Sequence, residues 1–151
     1  NIKSIQRRRI SLRFLIQNQH PKKIAWARSA VLTMLAKIPI KKIQGKDAVS
    51  LIFTDNKTIS HLAATFKHKP GATDVLCFPA DDVWDETAGE IVISLDTAKA
   101  QAKARGVKLQ DEIVLLVIHA LLHLQGFDDQ TEKKYSAMKR KEAEFFLQVL
   151  S

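Results

Sequence analysis

His119 and His123 stand four residues apart in a stretch otherwise built of Ile, Val, Leu and Ala. On a helix that spacing puts both imidazoles on one face, a turn apart, where they can meet a single cation. A hydrolytic site needs a third protein ligand and an open position for water. Gly126 can take the left-handed conformation that ends a helix and turns the chain back, and Asp129 lies six residues beyond His123. The chemistry of such a set is hydrolysis: a bound zinc ion lowers the pKa of water from ~9 toward ~7 and polarises a carbonyl or phosphoryl oxygen. A structural alternative stands beside it. Both histidines can be core residues bonded to backbone carbonyls, and Asp129 with Glu132 can form a capping box for the next helix. Four ring nitrogens on so apolar a helix need partners, and a cation supplies them economically. Asp128 is a secondary candidate, as a partner to a ligand or a helix cap rather than a base.

Several elements must position this set. Residues 110–124 form a strongly apolar helix that ends near Gly126, and residues 131–150 form a last amphipathic helix. Upstream, residues 10–17 alternate loosely and read as a strand. Ile24, Ala27, Val31, Met34, Leu35 and Ile38 then recur at helical spacing between Pro21 and Pro39. Residues 48–54 are β-rich and lead into Asp55-Asn56, which can cap a helix over 57–66. A Pro70-Gly71 turn precedes a strand over 73–78, and Gly89 precedes another over 90–94, with an acidic loop, 81–86, between them. Asp96 reads as the N-cap of a helix over 97–105 that stops at Gly106. The expectation is a single α+β domain over residues 1–151, with a mixed sheet of about four strands packed with about five helices. Strand order does not follow from this pattern.

Composition narrows the function classes. The 151 residues are 46% hydrophobic and 26% charged, with five Gly, four Pro and one Cys, which excludes collagen, low-complexity disorder and a disulfide scaffold. Cys77 alone forms no internal disulfide, and its place in a strand predicts a buried, inert thiol. No apolar run approaches the roughly 18 residues that cross a bilayer, so no membrane association is expected and a cytoplasmic setting fits best. Charge is uneven: residues 1–46 hold 12 of the 24 Lys and Arg and no acid, and the remainder carries 12 basic against 16 acidic residues. A segment of +12 in a chain of net +8 attracts polyanions by counterion release, and Arg7, Arg8 and Arg9 are its densest run. A solvated basic face is the bland alternative.

Three ordered stretches carry a resemblance: His119-Ala-Leu-Leu-His123-Leu-Gln-Gly126-Phe-Asp128-Asp129, Thr73-Asp-Val-Leu-Cys-Phe-Pro79 and Gly89-Glu-Ile-Val-Ile93. Together they are similar to the motifs of the YbeY family, metal-dependent endoribonucleases of ribosomal RNA maturation and quality control. The resemblance spans roughly residues 48–146. It implies a nuclease that takes one divalent cation, with zinc expected, on His119, His123 and Asp129. It also implies single-stranded and ribosomal RNA as substrate and the small ribosomal subunit as partner. Asp129 stands where the family has a third histidine, which makes the site harder. Ala120 and Phe127 replace Gly and Tyr. A functional arginine of the family falls on Lys67, which can hold phosphate as a point charge but lacks the bidentate fork. Lys67, with Arg7, Arg8 and Arg9, is the expected RNA-contacting set, and Lys67 and Asp128 are the candidate catalytic side chains. Unpaired RNA also suits stacking, for which Phe78, Trp84 and Phe127 are candidates, although core packing is the commoner role of an aromatic. Two other readings are a non-catalytic RNA- or ribosome-binding factor with a vestigial site, and a metzincin-like protease. The ligand spacing favours the protease, but Ala120 stands where its general base would be.

Overall fold

Two central strands, each a nearly continuous apolar run, organise the chain. The computed structural model describes residues 11–67 and 73–151. In chain order the elements are β1 (Arg13–Asn18), α1 (Arg28–Leu35), β2 (Ala48–Thr54), α2 (Asn56–Phe66), β3 (Val75–Pro79), β4 (Gly89–Ser94), α3 (Leu95–Arg105), α4 (Leu109–Leu124) and α5 (Glu132–Leu150). Among the described residues, four strands form one mixed sheet in the order β1-β2-β4-β3. β1, β2 and β4 are parallel, whereas β3 runs antiparallel to β4 along one edge, with Phe78 opposite Glu90 and Pro79 opposite Gly89. Four strands and five helices in one α+β arrangement agree with the expectation from sequence.

β2 and β4 lie inside the sheet and are covered on both faces, which is why their sequences do not alternate. On one face Leu51, Phe53, Ile91 and Ile93 share a core with α1 and α4, over which α5 packs in turn. On the other, Ile59 and Ala63 of α2 cover Leu76 and Val92. Ten of the sixteen residues of α4 are buried, so the helix that carries the histidine pair is also the centre of the core. Each large apolar side chain buried there contributes roughly 1.5–3 kcal/mol, which makes α4 a rigid base for a site at its end. Gly89 begins β4 at φ +153°, and a Cβ there would lie 2.4 Å from the Phe78 carbonyl oxygen, so only glycine lets β4 start this close to β3.

The helix expected between Pro21 and Pro39 is shorter, running only over Arg28–Leu35. Its periodic apolar positions are real, but tertiary contacts hold the preceding residues in another form. Buried His20 reaches Asp96 from Nε2 at 3.0 Å and accepts the Lys22 N–H at Nδ1, and Asn18 Nδ2 donates to the Ile24 carbonyl. Lys23 and Ala27 consequently sit at positive φ, and Trp26 turns inward onto Phe53 with ring centroids 4.7 Å apart. The same contact corrects the cap of α3. Ser94, not Asp96, caps it by accepting from the Thr97 N–H, while the Asp96 carboxylate is taken by His20 and the Asn56 N–H. The Pro70-Gly71 turn and the run Arg7-Arg8-Arg9 lie outside the described residues.

Candidate metal centre

α4 ends as its sequence predicts. Gln125 closes the last turn, Gly126 takes φ +103°, and the Phe127 N–H returns 3.0 Å to the Leu122 carbonyl. This reversal carries the next residues back beside the last turn of the helix. One ligand atom each from His119, His123 and Asp129 falls within 4.8 Å of the others, and the two Nε2 atoms are 3.2 Å apart. The rings meet nearly edge to face, at 76°. Asp129 is exposed and the histidines are partly so, which leaves the cluster open on one side.

The outer nitrogen of His119 shows how the cluster is held. His119 Nδ1 is hydrogen-bonded to Oε1 of Glu142, a buried residue of α5, and Glu142 Oε2 accepts from Lys139 Nζ at 3.1 Å. A carboxylate on Nδ1 fixes the proton there and turns the Nε2 lone pair toward His123. Burial alone would raise the Glu142 carboxyl, but the His119 and Lys139 hydrogen bonds outweigh it and hold it below its ordinary 4.5, so it is ionised at neutral pH. His123 is held below its ordinary 6.5, first by burial and then by the neighbouring His119, against an upward pull from Asp129. A neutral His123 beside a lone pair on His119 leaves the two facing nitrogens able to share a proton or to ligate a cation. The donor set of two neutral imidazoles and one carboxylate, backed by a second carboxylate, fits one divalent cation.

The capping part of the structural alternative is corrected. Thr131, accepting from the Lys134 N–H at 3.1 Å, is the cap of α5, so Asp129 is free of that task. Asp128 instead shapes the turn: it accepts from the Gln130 N–H at 3.1 Å and from Lys134 Nζ at 3.3 Å, and these bonds, the backbone one foremost, lower its pKa. Glu142 is the residue that sequence reasoning missed. Its signal was present, because Met138, Glu142, Phe145 and Val149 form the buried stripe of α5 and one of the four is a carboxylate.

Lys67 stands apart from the ligand cluster, at the C-cap of α2, with Nζ 4.8 Å from the centre of the Phe78 ring. Phe78 faces α2, while its neighbour Cys77 faces α4 and its Sγ donates to the Ala120 carbonyl at 3.6 Å, between the two histidines. Lys67 and the histidine pair thus lie on opposite faces of β3, which is an edge strand. Burial pushes the Cys77 thiol up to about 11 against the opposing charge of Lys67, which makes it an inert neighbour rather than a ligand. Of the aromatic candidates, Trp84 is not a core residue: it is 87% exposed on the acidic loop. Phe127 is also on the surface, and Phe78 is half-buried. A groove at the β3–β4 hairpin is lined by Asp81, Asp85, Glu86 and Glu90, an unsuitable wall for a phosphate chain.

The sequence profile of the family described as Endoribonuclease YbeY matches residues 15–150, from within β1 to the last residue of α5. The chain belongs to the YbeY family. It is similar to the Endoribonuclease YbeY of Nautilia profundicola, 45% identical over 96 residues that cover 64% of this chain and 68% of that protein. The Carboxydothermus hydrogenoformans protein of the same name is 36% identical over 113 residues, covering 74% of this chain and 79% of the relative. The solution structure of TM1509 from Thermotoga maritima has the same fold, with a TM-score of 0.58 at 23% identity over 91% of this chain and 88% of that one. Family membership gives a physical reading to the three motifs. The histidine motif builds the cluster, the Thr73–Pro79 motif builds the edge strand that packs on α4, and Gly89 permits the hairpin that fixes this strand. No described helix is long and apolar enough to cross a membrane.

Proposed function

We propose that this chain is a metal-dependent endoribonuclease that cuts unpaired RNA, with one zinc ion on His119, His123 and Asp129. Its substrate is ribosomal RNA, foremost the 3′ end of the small-subunit RNA, during maturation and quality control in the cytoplasm. The observation that carries the reading is the convergence of those three ligand atoms behind an imidazole oriented by Glu142, in a chain whose relatives are named endoribonucleases. When bound, the cation lowers the pKa of water and polarises a phosphoryl oxygen.

The chain's own residues supply orientation and charge. Glu142 keeps the His119 proton on Nδ1, so that Nε2 stays a ligand. Asp129, in place of the third histidine seen in the family motif, adds a negative charge and an oxygen donor, which broadens the range of ions tolerated. Lys67 donates to the phosphate and offsets the charge that grows on it, without the fixed geometry of a guanidinium. Asp128 holds the turn that presents Asp129. The basic segment 1–46, with Arg7, Arg8 and Arg9, holds the strand on either side and gives the domain its affinity for ribosomal RNA in the small subunit.

The test is to measure metal content and cleavage together. Purified protein is expected to carry approximately one ion per chain and to cut a labelled unpaired RNA but not casein, and His123→Ala is expected to lose both ion and cleavage. Casein cut without RNA would establish a protease instead. Metal and RNA bound with no cleavage would establish a binding factor.

A further inference from the structure

Among the described residues Trp84 and Phe66 are the two most exposed aromatic side chains, and different charges stand beside them. Trp84 stands among Asp81, Asp82, Asp85 and Glu86, which repel phosphate. Phe66, the last residue of α2, is 62% exposed, and α2 contains no Asp or Glu. Lys57 and His61 are exposed on other sides of the helix, so the cation beside Phe66 is the next residue, the half-buried Lys67. Phe66 meets Phe78 edge to face, with ring centroids 5.9 Å apart at 87°, so Phe78 steadies a Phe66 ring that is still largely exposed. Lys67 Nζ lies over Phe78 in the same patch. Glu90 stands opposite Phe78 on β4, so an acid borders the patch on the sheet, but α2 itself brings none, and an exposed apolar ring beside a cation is complementary to a base and its phosphate.

We propose that Phe66 is a nucleobase platform: one unpaired base of the RNA stacks on its exposed ring while Lys67, the next residue, takes a phosphate of the same stretch. This rests on the ribonuclease reading and adds to it a subsite on the α2 side of β3. From there the strand passes over the rim of that edge strand toward His119 and His123 on the far side. Selection is for an unstacked base of any identity, since every base has a π-face, and paired RNA is excluded because its bases are already stacked.

The experiment measures binding of the full chain, in chelator so that nothing is cut, to two strands of equal length and charge. One is an unpaired oligoribonucleotide and the other carries base-free sugars in its centre. Phe66→Ala is expected to weaken binding of the first strand roughly 5- to 150-fold and to leave the second unchanged. Phe66→Leu, which keeps an apolar side chain without a flat ring, is expected to behave like Phe66→Ala. Phe66→Trp in a Trp84→Phe background is expected to retain affinity and to lose indole fluorescence only with the base-bearing strand, because the other tryptophan, Trp26, is buried on Phe53. Unchanged binding by Phe66→Ala, in a protein that binds and cuts RNA, would overturn the platform alone. Equal loss on both strands would also overturn it, by showing that the effect is not on bases. A wild-type chain that binds neither strand would overturn the ribonuclease reading with it.

Discussion

Replacing Glu142 by Gln tests how the metal centre is held. The change keeps the shape of the side chain and removes its charge. An amide can turn either its oxygen or its NH2 group toward His119 Nδ1. In the second case Nδ1 accepts, and the imidazole proton moves to Nε2, which is the nitrogen that faces His123 at 3.2 Å. Loss of an outer carboxylate of this kind costs 10- to 100-fold in metal affinity, about 1.4–2.7 kcal/mol. The assay is competition for zinc with a chromophoric chelator at neutral pH, with circular dichroism to establish that the fold persists. Lys139→Met is the control: it removes the 3.1 Å bond to the other Glu142 oxygen, keeps the aliphatic stem, and leaves the His119 contact in place, so its effect is expected to be smaller. A Glu142→Gln protein that binds zinc within about twofold of wild type would refute this role, since the tautomer of His119 would then be set by something other than Glu142.

Four further outcomes are expected. Lys67→Ala lowers RNA cleavage while zinc content stays at the wild-type level, because Lys67 lies on Phe78 and not among the ligands; loss of metal in that variant would contradict its assignment to phosphate. Replacing Arg7, Arg8 and Arg9 by Gln flattens the slope of log affinity against log salt for a single strand by about 2, at roughly 0.7 for each phosphate no longer neutralised; an unchanged slope returns the run to a role in solubility. Gly89→Ala lowers unfolding stability by about 2 kcal/mol or more in denaturant titration, because its Cβ would clash with the Phe78 carbonyl at a positive φ; a neutral substitution would mean that the β3–β4 hairpin yields easily. Glu112 is raised above its ordinary 4.5, by burial foremost, with Arg105 opposing. The folded chain therefore binds the extra proton, and the stability associated with it is present below 4.5 and lost as pH rises through the higher folded value. Glu112→Gln leaves Arg105 exposed to water and is expected to raise the melting temperature near pH 7 but not near about pH 4; a lower melting temperature at neutral pH would show that the pair stabilises.

The local features were legible because their causes are local. The four-residue spacing of His119 and His123, the reversal at Gly126 and the cap at Asp55 each depend on backbone geometry within a turn or two. Where a distant residue competed for the same group, local pattern misled. Asp96 satisfies the rules for a cap yet spends its carboxylate on His20 and Asn56, and His20 in turn holds residues 20–27 out of the helix that their apolar spacing favours. Glu142 was visible as a lone carboxylate in the apolar stripe of α5, but its partner lies 23 residues away on another helix, and nothing in the stripe names that partner.

Sequence alone determined the element types, the candidate ligands and the family motifs, since periodicity, spacing and residue chemistry are carried along the chain. Tertiary structure alone decided that β3 is an edge strand, that α5 brings a carboxylate to the back of His119, and that Lys67 and Phe66 share the opposite face of that strand from the histidines. The reason is that strand order and helix packing are set by burying all apolar faces at once. That is a property of the whole chain, and no window of neighbouring residues contains it.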